Sequence, residues 1–244
     1  MARQAACVGP GAVRRVADVG CGTGRYAMPL AAAFDAHVCA LDPSVRMLAA
    51  AIAATHDPLV PYCLARAECL PLRDGAADLV WLSQVYHHLA DKAAACDEFR
   101  RVVRPGGHLA VRTSVREQLD AYLWVCFFPE ARAIDAARLP SANDLTALPP
   151  AHGLRLVAHE TVRQVSADDH ADCAERIGQR ALSALQMISD AAFQRGMTAL
   201  RAYCAAQSDT GPVYEDLSLL VYAAAGVGRG HRAPMIARLQ SPSR

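Results

Sequence analysis

The chain has 244 residues, 53% hydrophobic and 20% charged, enough for one domain with a well-buried core. Lys and Arg number 25 against 24 Asp and Glu, a net charge of +1 that argues against a dedicated nucleic-acid binder. No apolar run approaches the ~20 residues of a membrane span, and the first residues lack the apolar stretch of a signal peptide. The nine cysteines form no C-x-x-C pair, so neither a disulfide framework nor a zinc site is expected and the location expected is cytoplasmic.

Arg15–Val19 reads as a first strand. It enters Asp18, and glycines follow at 20, 22 and 24 in the string Val16-Ala17-Asp18-Val19-Gly20-Cys21-Gly22-Thr23-Gly24-Arg25. Alternating glycines after a strand let the backbone turn sharply and let a ligand approach main-chain N–H groups. Tyr26 to Phe34 reads as the helix after this turn, with Pro29 tolerated in its first turn. A dinucleotide fingerprint fits poorly: its third glycine would fall on Arg25, and Asp18 would repel a pyrophosphate.

A second strand, His37–Leu41, ends at Asp42, where an acidic residue can grip the two ribose hydroxyls of an adenosine. Ser44 is placed to cap the following helix. Met47 on that helix suits either core packing or a contact to adenine. Further strands are expected around Pro61–Ala65, at Asp78–Ser83 and at His108–Thr113. A helix from near Asp91 ends at Pro105-Gly106-Gly107. Strands alternating with helices imply a parallel sheet covered on both faces.

Several segments carry a family likeness when taken in order. Asp18–Gly24 resembles motif I, D/E-x-G-x-G-x-G, of the class I S-adenosylmethionine (SAM) methyltransferases, and Asp42–Leu48 resembles their D-x-S-x-x-M-L. Ala67-Glu68-Cys69-Leu70-Pro71-Leu72, Ala77-Asp78-Leu79-Val80, His87-His88-Leu89 and Arg101–Leu109 resemble four further signatures. Those belong to the group containing the ubiquinone and menaquinone C-methyltransferases. The likeness runs from about Val16 to Thr113. It implies an α/β, Rossmann-like doubly wound sheet, mostly parallel with an antiparallel last strand, and SAM as cofactor. Cofactor contacts are implied at Asp18, Gly20, Cys21, Gly22, Thr23, Gly24, Asp42, Pro43, Met47, Ala67, Glu68, Ser83 and Gln84. Arg66 stands where many relatives carry an Asp that binds the adenine amino group, and a guanidinium accepts no hydrogen bond. That contact is left to Glu68 or to a backbone carbonyl.

Beyond Thr113 the resemblance is one of layout. Tyr122–Phe128 is an aromatic-rich block closed by Pro129, and Ser141 caps a helix running to Leu148. Leu154–Val162 reads as a strand. Helical periodicity returns from Asp172 to Cys204, with Ile177, Ala181, Leu185 and Ile188 on one face, while Gly196 counts against an unbroken helix. Tyr214–Ala223 reads as a final edge strand, antiparallel in the resembling fold. One domain is expected over 1–225, with its core at 13–114 and acceptor-side insertions at about 115–150 and 168–206; 226–244 is expected to be disordered.

The expected activity is transfer of a methyl group to a small-molecule acceptor, aromatic or a secondary metabolite, by in-line displacement, a reaction promoted chiefly by positioning. A weakly acidic acceptor needs a base, for which His87 and His88 are candidates; no metal ligand set is expected. Trp124, Phe127 and Phe128 suit stacking on a flat acceptor or ordinary core packing. Only 15 residues precede Val16, where relatives carry a helix and lid. A SAM-binding pseudoenzyme or accessory subunit is therefore the alternative reading. Neither nucleic acid nor membrane is an expected partner, and a homodimer stays open.

Overall fold

The computed structural model describes residues 13–54, 60–207 and 211–225. Residues 1–12, where relatives' helix and lid would fall, and the tail expected to be disordered lie outside the described residues. Among the described residues no helix is long and apolar enough to cross a membrane, and eight cysteines are free thiols.

The seven strands are β1 (Arg15–Val19), β2 (His37–Asp42), β3 (Tyr62–Leu64), β4 (Ala77–Ser83), β5 (Val103–Thr113), β6 (Leu154–Ala167) and β7 (Val213–Ala224). They form one sheet in the order β3-β2-β1-β4-β5-β7-β6. The first five are parallel, and β7 lies antiparallel between β5 and β6. This is the doubly wound, mostly parallel arrangement expected from the sequence. The central strand β4 is a near-continuous apolar run, as a strand covered on both faces requires: only Ser83 escapes burial. Strand order reverses between β1 and β4. Ligands of open α/β sheets bind at such a switch point, beyond the carboxyl ends of the strands.

Helix α1 (Ala27–Phe34) carries Pro29 in its first turn, and α2 (Val45–Ala54) follows β2. Helix α3 (Lys92–Val102) starts at Asp91, whose carboxylate accepts the Ala94 N–H at 3.0 Å. Two expectations change here. Pro105-Gly106-Gly107 lies inside β5, which starts at Val103: Ala77 pairs with Val103 and Leu79 with His108, so the tripeptide forms a bulge. Gly107 is required there because a Cβ would sit 2.8 Å from the Asp78 carbonyl oxygen. The last strand is also not an edge. Leu217–Tyr222 is buried throughout, which suits an interior strand, whereas β6 alternates half-buried and exposed residues and takes the edge.

Asp78 acts as a structural partner at the base of β4. Its carboxylate accepts the N–H groups of Arg14 and Arg15 at 2.9 and 2.8 Å and pairs with the Arg104 and Arg15 guanidiniums. Burial alone would raise its pKa, but the Arg104 bond and these backbone donors outweigh it and hold the carboxyl at about 2. A depressed carboxyl contributes stability above its unfolded pKa and loses it as pH falls through the folded value. Asp78→Asn is therefore expected to cost about 2 kcal/mol at neutral pH and to remove that share of the acid sensitivity between about pH 4 and 2. Urea titrations across that range check it; parallel stability–pH curves for variant and wild type would refute it.

Packing divides the chain into two units: residues up to Thr113 with Asn143–Glu160 and the part from Leu219, and Ser114–Ala142 with Thr161–Ser218. The second unit has its own core. Trp124, Phe128, Leu185, Phe193, Met197 and Leu200 are buried in it, with Phe128 and Phe193 ring centroids 5.8 Å apart. Helix α4 (Pro129–Arg138) begins with Pro129, and α5 (Ala142–Ala151) extends the helix expected to Leu148. The stretch from Asp172 to Cys204 is three helices: α6 (His170–Gly178), α7 (Ser183–Gln186) and α8 (Asp190–Ala205). The break comes at Arg180, not Gly196. Arg180 has φ +51°, and its guanidinium takes the carbonyls of Leu185 and Ile188 together with Asp190. Ala181 is consequently exposed instead of sharing a face with Ile177. Gly196 lies within α8, where a Cβ would meet the Phe128 ring at 2.3 Å.

Candidate functional site

The glycine turn after β1 is tied to β2. Gly20 and Cys21 both donate their N–H to the Leu41 carbonyl, at 2.7 and 3.0 Å, and Gly24 donates to the Cys21 carbonyl at 2.9 Å. All three glycines have positive φ. Gly20 also needs to be glycine on steric grounds, since a Cβ would lie 2.4 Å from a Val85 methyl. Gly22 differs: a Cβ there would meet nothing within 4 Å, so the backbone faces open space. Cys21 is buried and Thr23 exposed.

Asp42 closes this turn from the end of β2. Its Oδ2 accepts the Gly22 N–H at 2.8 Å and its Oδ1 the Ser44 N–H at 2.8 Å. Each oxygen keeps a further lone pair for a ligand hydroxyl. Ser44 caps α2 as expected, its Oγ accepting the Met47 N–H at 3.3 Å. Met47 is half-buried and Pro43 exposed.

Asp18 is 2% exposed, and its Oδ2 has no hydrogen-bond partner among the described residues. Burial first, then the charge of Asp42, pushes this carboxyl up to about 7. The Cys21 thiol beside it is pushed up to about 12, by burial and then by Asp18 and Asp42. Asp18 pairs in register with Trp81 of β4, so the two side chains share a sheet face, and the buried Trp81 Nε1 also lacks a partner. An orphaned buried carboxylate oxygen is costly unless something cationic or hydrogen-donating fills the gap.

Ala67 is buried, while Glu68 is committed elsewhere. Glu68 Oε1 accepts the Ala90 and Asp91 N–H groups at 3.0 and 3.3 Å, and Oε2 lies 3.5 Å from Arg66 Nε. Burial works to raise its carboxyl, but those donors and Arg66 hold it below the ordinary range. At the carboxyl end of β4 are Ser83 and Gln84. Gln84 has φ +59° and donates its N–H to the Arg112 carbonyl at 2.8 Å. A left-handed non-glycine residue beside a switch point is the kind of strain that sites retain. The short turn Tyr86–His88 follows, with Tyr86 fully buried, His87 half-buried and His88 exposed; the two imidazole centroids lie 4.1 Å apart, the rings tilted by 44°.

The structure thus joins residues 18–24 to 42–47 through hydrogen bonds and sets Ser83, Gln84 and the histidines after the neighbouring strand. Sequence reasoning missed Tyr26 and Arg112. Arg112 Nη1 donates to the Tyr26 hydroxyl at 3.1 Å and to Ser83 Oγ at 3.0 Å. The available signal was a cation ending the apolar run Leu109-Ala110-Val111.

Comparison with known proteins places the chain among methyltransferases. The Methyltransferase domain family matches residues 17–111. The O-methyltransferase rstn1 of Aspergillus nomiae is 30% identical over 162 residues, 63% of this chain and 69% of that protein. The 27-O-demethylrifamycin SV methyltransferase of Amycolatopsis mediterranei is 30% identical over 203 residues, 78% and 71% respectively. A Haemonchus contortus phosphoethanolamine N-methyltransferase solved with S-adenosylhomocysteine shares the fold at TM-score 0.55 and 18% identity. That match covers 87% of this chain and 49% of the other.

Proposed function

The chain belongs to the class I SAM-dependent methyltransferases, and we propose that it methylates an oxygen of a small-molecule acceptor. The observation that carries the assignment of the cofactor's place is the buried, partnerless Asp18 Oδ2 beside the open backbone at Gly22. A cofactor with an ammonium group and no phosphate fits that pair, whereas a pyrophosphate does not. Oxygen as the nucleophile is supported by the two relatives above, both named for O-methylation or for an O-demethylated substrate.

In this reading Asp42 accepts the ribose hydroxyls with its remaining lone pairs, and Asp18 holds the amino end. Gly20, Cys21, Gly22, Thr23 and Gly24 shape the turn around that end, with Ser83 and Gln84 beside it. Pro43 and Met47 border the adenine. The engagement of Glu68 with Ala90 and Asp91 leaves the adenine edge to the Ala67–Glu68 backbone. Bound SAM supplies a methyl group on a sulfonium, a reactive donor that needs alignment more than activation. A hydroxyl acceptor must also lose a proton, and His87 and His88 are the bases that follow β4.

With Asp18 at about 7 in the free protein, its carboxyl is largely neutral below that pH. A bound ammonium favours the carboxylate, so binding expels a proton there. SAM affinity is expected to rise by up to about tenfold per pH unit towards pH 7 and to level off above it. Calorimetry in two buffers of different ionisation heat reads the released proton directly, and Asp18→Asn should abolish the slope. An equal slope in Asp18→Asn would refute the assignment. The class of acceptor is tested by incubating the protein with SAM and a panel of phenols, alcohols and amines. Methyl ethers or esters support the proposal, and methylated amines alone overturn it.

A further inference from the structure

Arg112, next to last in β5, lies in register with Ser83 of β4, on the sheet face that also carries Trp81 and Asp18. The residue is 4% exposed, and its guanidinium lies 5.6 Å from the centroid of the Tyr26 ring. Arg25 approaches the same ring at 5.8 Å. A guanidinium has donors only, so the Tyr26 and Ser83 hydroxyls must both act as acceptors towards Arg112. Each then keeps its own proton to give away. Neither proton goes to an acceptor among the described residues. Tyr26 and Ser83 are half-buried and therefore reachable, while the cation behind them is enclosed.

We infer that Tyr26 and Ser83, oriented by Arg112, bind an oxyanion, specifically a carboxylate. The arrangement offers two O–H donors held by one guanidinium nitrogen and backed by a buried positive charge, the combination that gives the stronger, charge-assisted hydrogen bonds. Their direction is fixed by Arg112 before any ligand arrives, so little reorganisation accompanies binding. The anion has two sources: the carboxylate at the amino-acid end of the cofactor, or an acceptor that carries a carboxylate of its own. In the first case Asp18 and this cluster, on one sheet face, would take the two charges of a zwitterion. In the second, they would select acidic acceptors. The inference rests on the cofactor reading of the glycine turn.

The test measures binding of S-adenosylhomocysteine, of 5′-methylthioadenosine (which lacks the amino-acid end) and of salicylate to the S-adenosylhomocysteine-saturated protein. Wild type, Tyr26→Phe and Ser83→Ala are compared. Loss of one hydrogen bond to a charged group weakens binding about ten- to a hundredfold. If the cofactor is the source, both variants lose S-adenosylhomocysteine affinity by that factor while methylthioadenosine is held within about twofold of wild type. If the acceptor is the source, S-adenosylhomocysteine binding is kept and salicylate binding is lost. Unchanged S-adenosylhomocysteine binding with absent or unaffected salicylate binding overturns the inference. Failure of wild type to bind methylthioadenosine removes the cofactor reading, and this inference with it. Tyr26→Phe keeps the ring that sits 6.1 Å from Trp81, and Ser83→Ala removes a single oxygen, so two independent variants carry the test.

Discussion

Asp42→Ala is expected to weaken SAM binding by roughly three orders of magnitude while the protein stays folded. In the proposed site two ribose hydroxyls lose a charged acceptor, and hydrogen bonds to charged groups contribute about 1.5–3 kcal/mol each, so the pair amounts to about 3–6 kcal/mol. The loss reaches further than the ribose. Asp42 also anchors Gly22 and Ser44 through their N–H groups at 2.8 Å. Removing it frees the turn proposed to cradle the amino end and the first residues before α2. Asp42→Asn is no rescue, because one oxygen becomes an NH2 that faces a backbone N–H, donor against donor. Calorimetric titration with S-adenosylhomocysteine reads the effect. A variant that binds within about tenfold of wild type would remove Asp42 from the ribose site. Loss of binding together with loss of the far-ultraviolet helical signal would instead make Asp42 a structural residue.

What the sequence reveals of this site is what short-range chemistry determines. The glycines at 20, 22 and 24, the acid ending β2 and the Ser44 cap all act within a few residues, and the structure has them at those places. Contacts between distant segments leave weaker traces. Arg112 meets Tyr26 across 86 positions of sequence, and nothing in either local string announces the other. Glu68 reads as a free carboxylate until Ala90 and Asp91 arrive from 22 and 23 residues away. Strand order is likewise non-local: β7 reads as a strand from its own residues, but whether it ends the sheet depends on where β6 pairs. Even there the apolar run Leu217–Tyr222, interrupted only by Ser218, is a sign of an interior strand. The break at Arg180 shows the opposite case. Its left-handed backbone has no glycine to signal it and is held by a side chain reaching forward to Leu185 and Ile188.

Trp124→Ala is expected to destabilise the second unit by about 3–5 kcal/mol. Its sequence setting allows two roles, an aromatic platform for an acceptor or a core residue, and these predict different losses. Trp124 is 4% exposed, its ring centroid 6.3 Å from that of Phe128, which is wholly buried and packed on Phe193. The absence of a side chain at Gly196 makes room for the Phe128 ring. Removing the indole therefore opens a cavity in a core with no spare surface to collapse onto, and the missing volume is felt in full. Such a loss is a large fraction of the ~5–15 kcal/mol that holds a domain of ordinary stability. Because the residues proposed to bind the cofactor belong to the other unit, a separate transition in heat or urea is the informative signal. An early transition, with S-adenosylhomocysteine still bound by what remains folded, would identify Trp124 as core. An unchanged melting temperature with a raised KM for the acceptor would instead make the indole a substrate contact. In that case 4% exposure would be enough for a ligand to reach it.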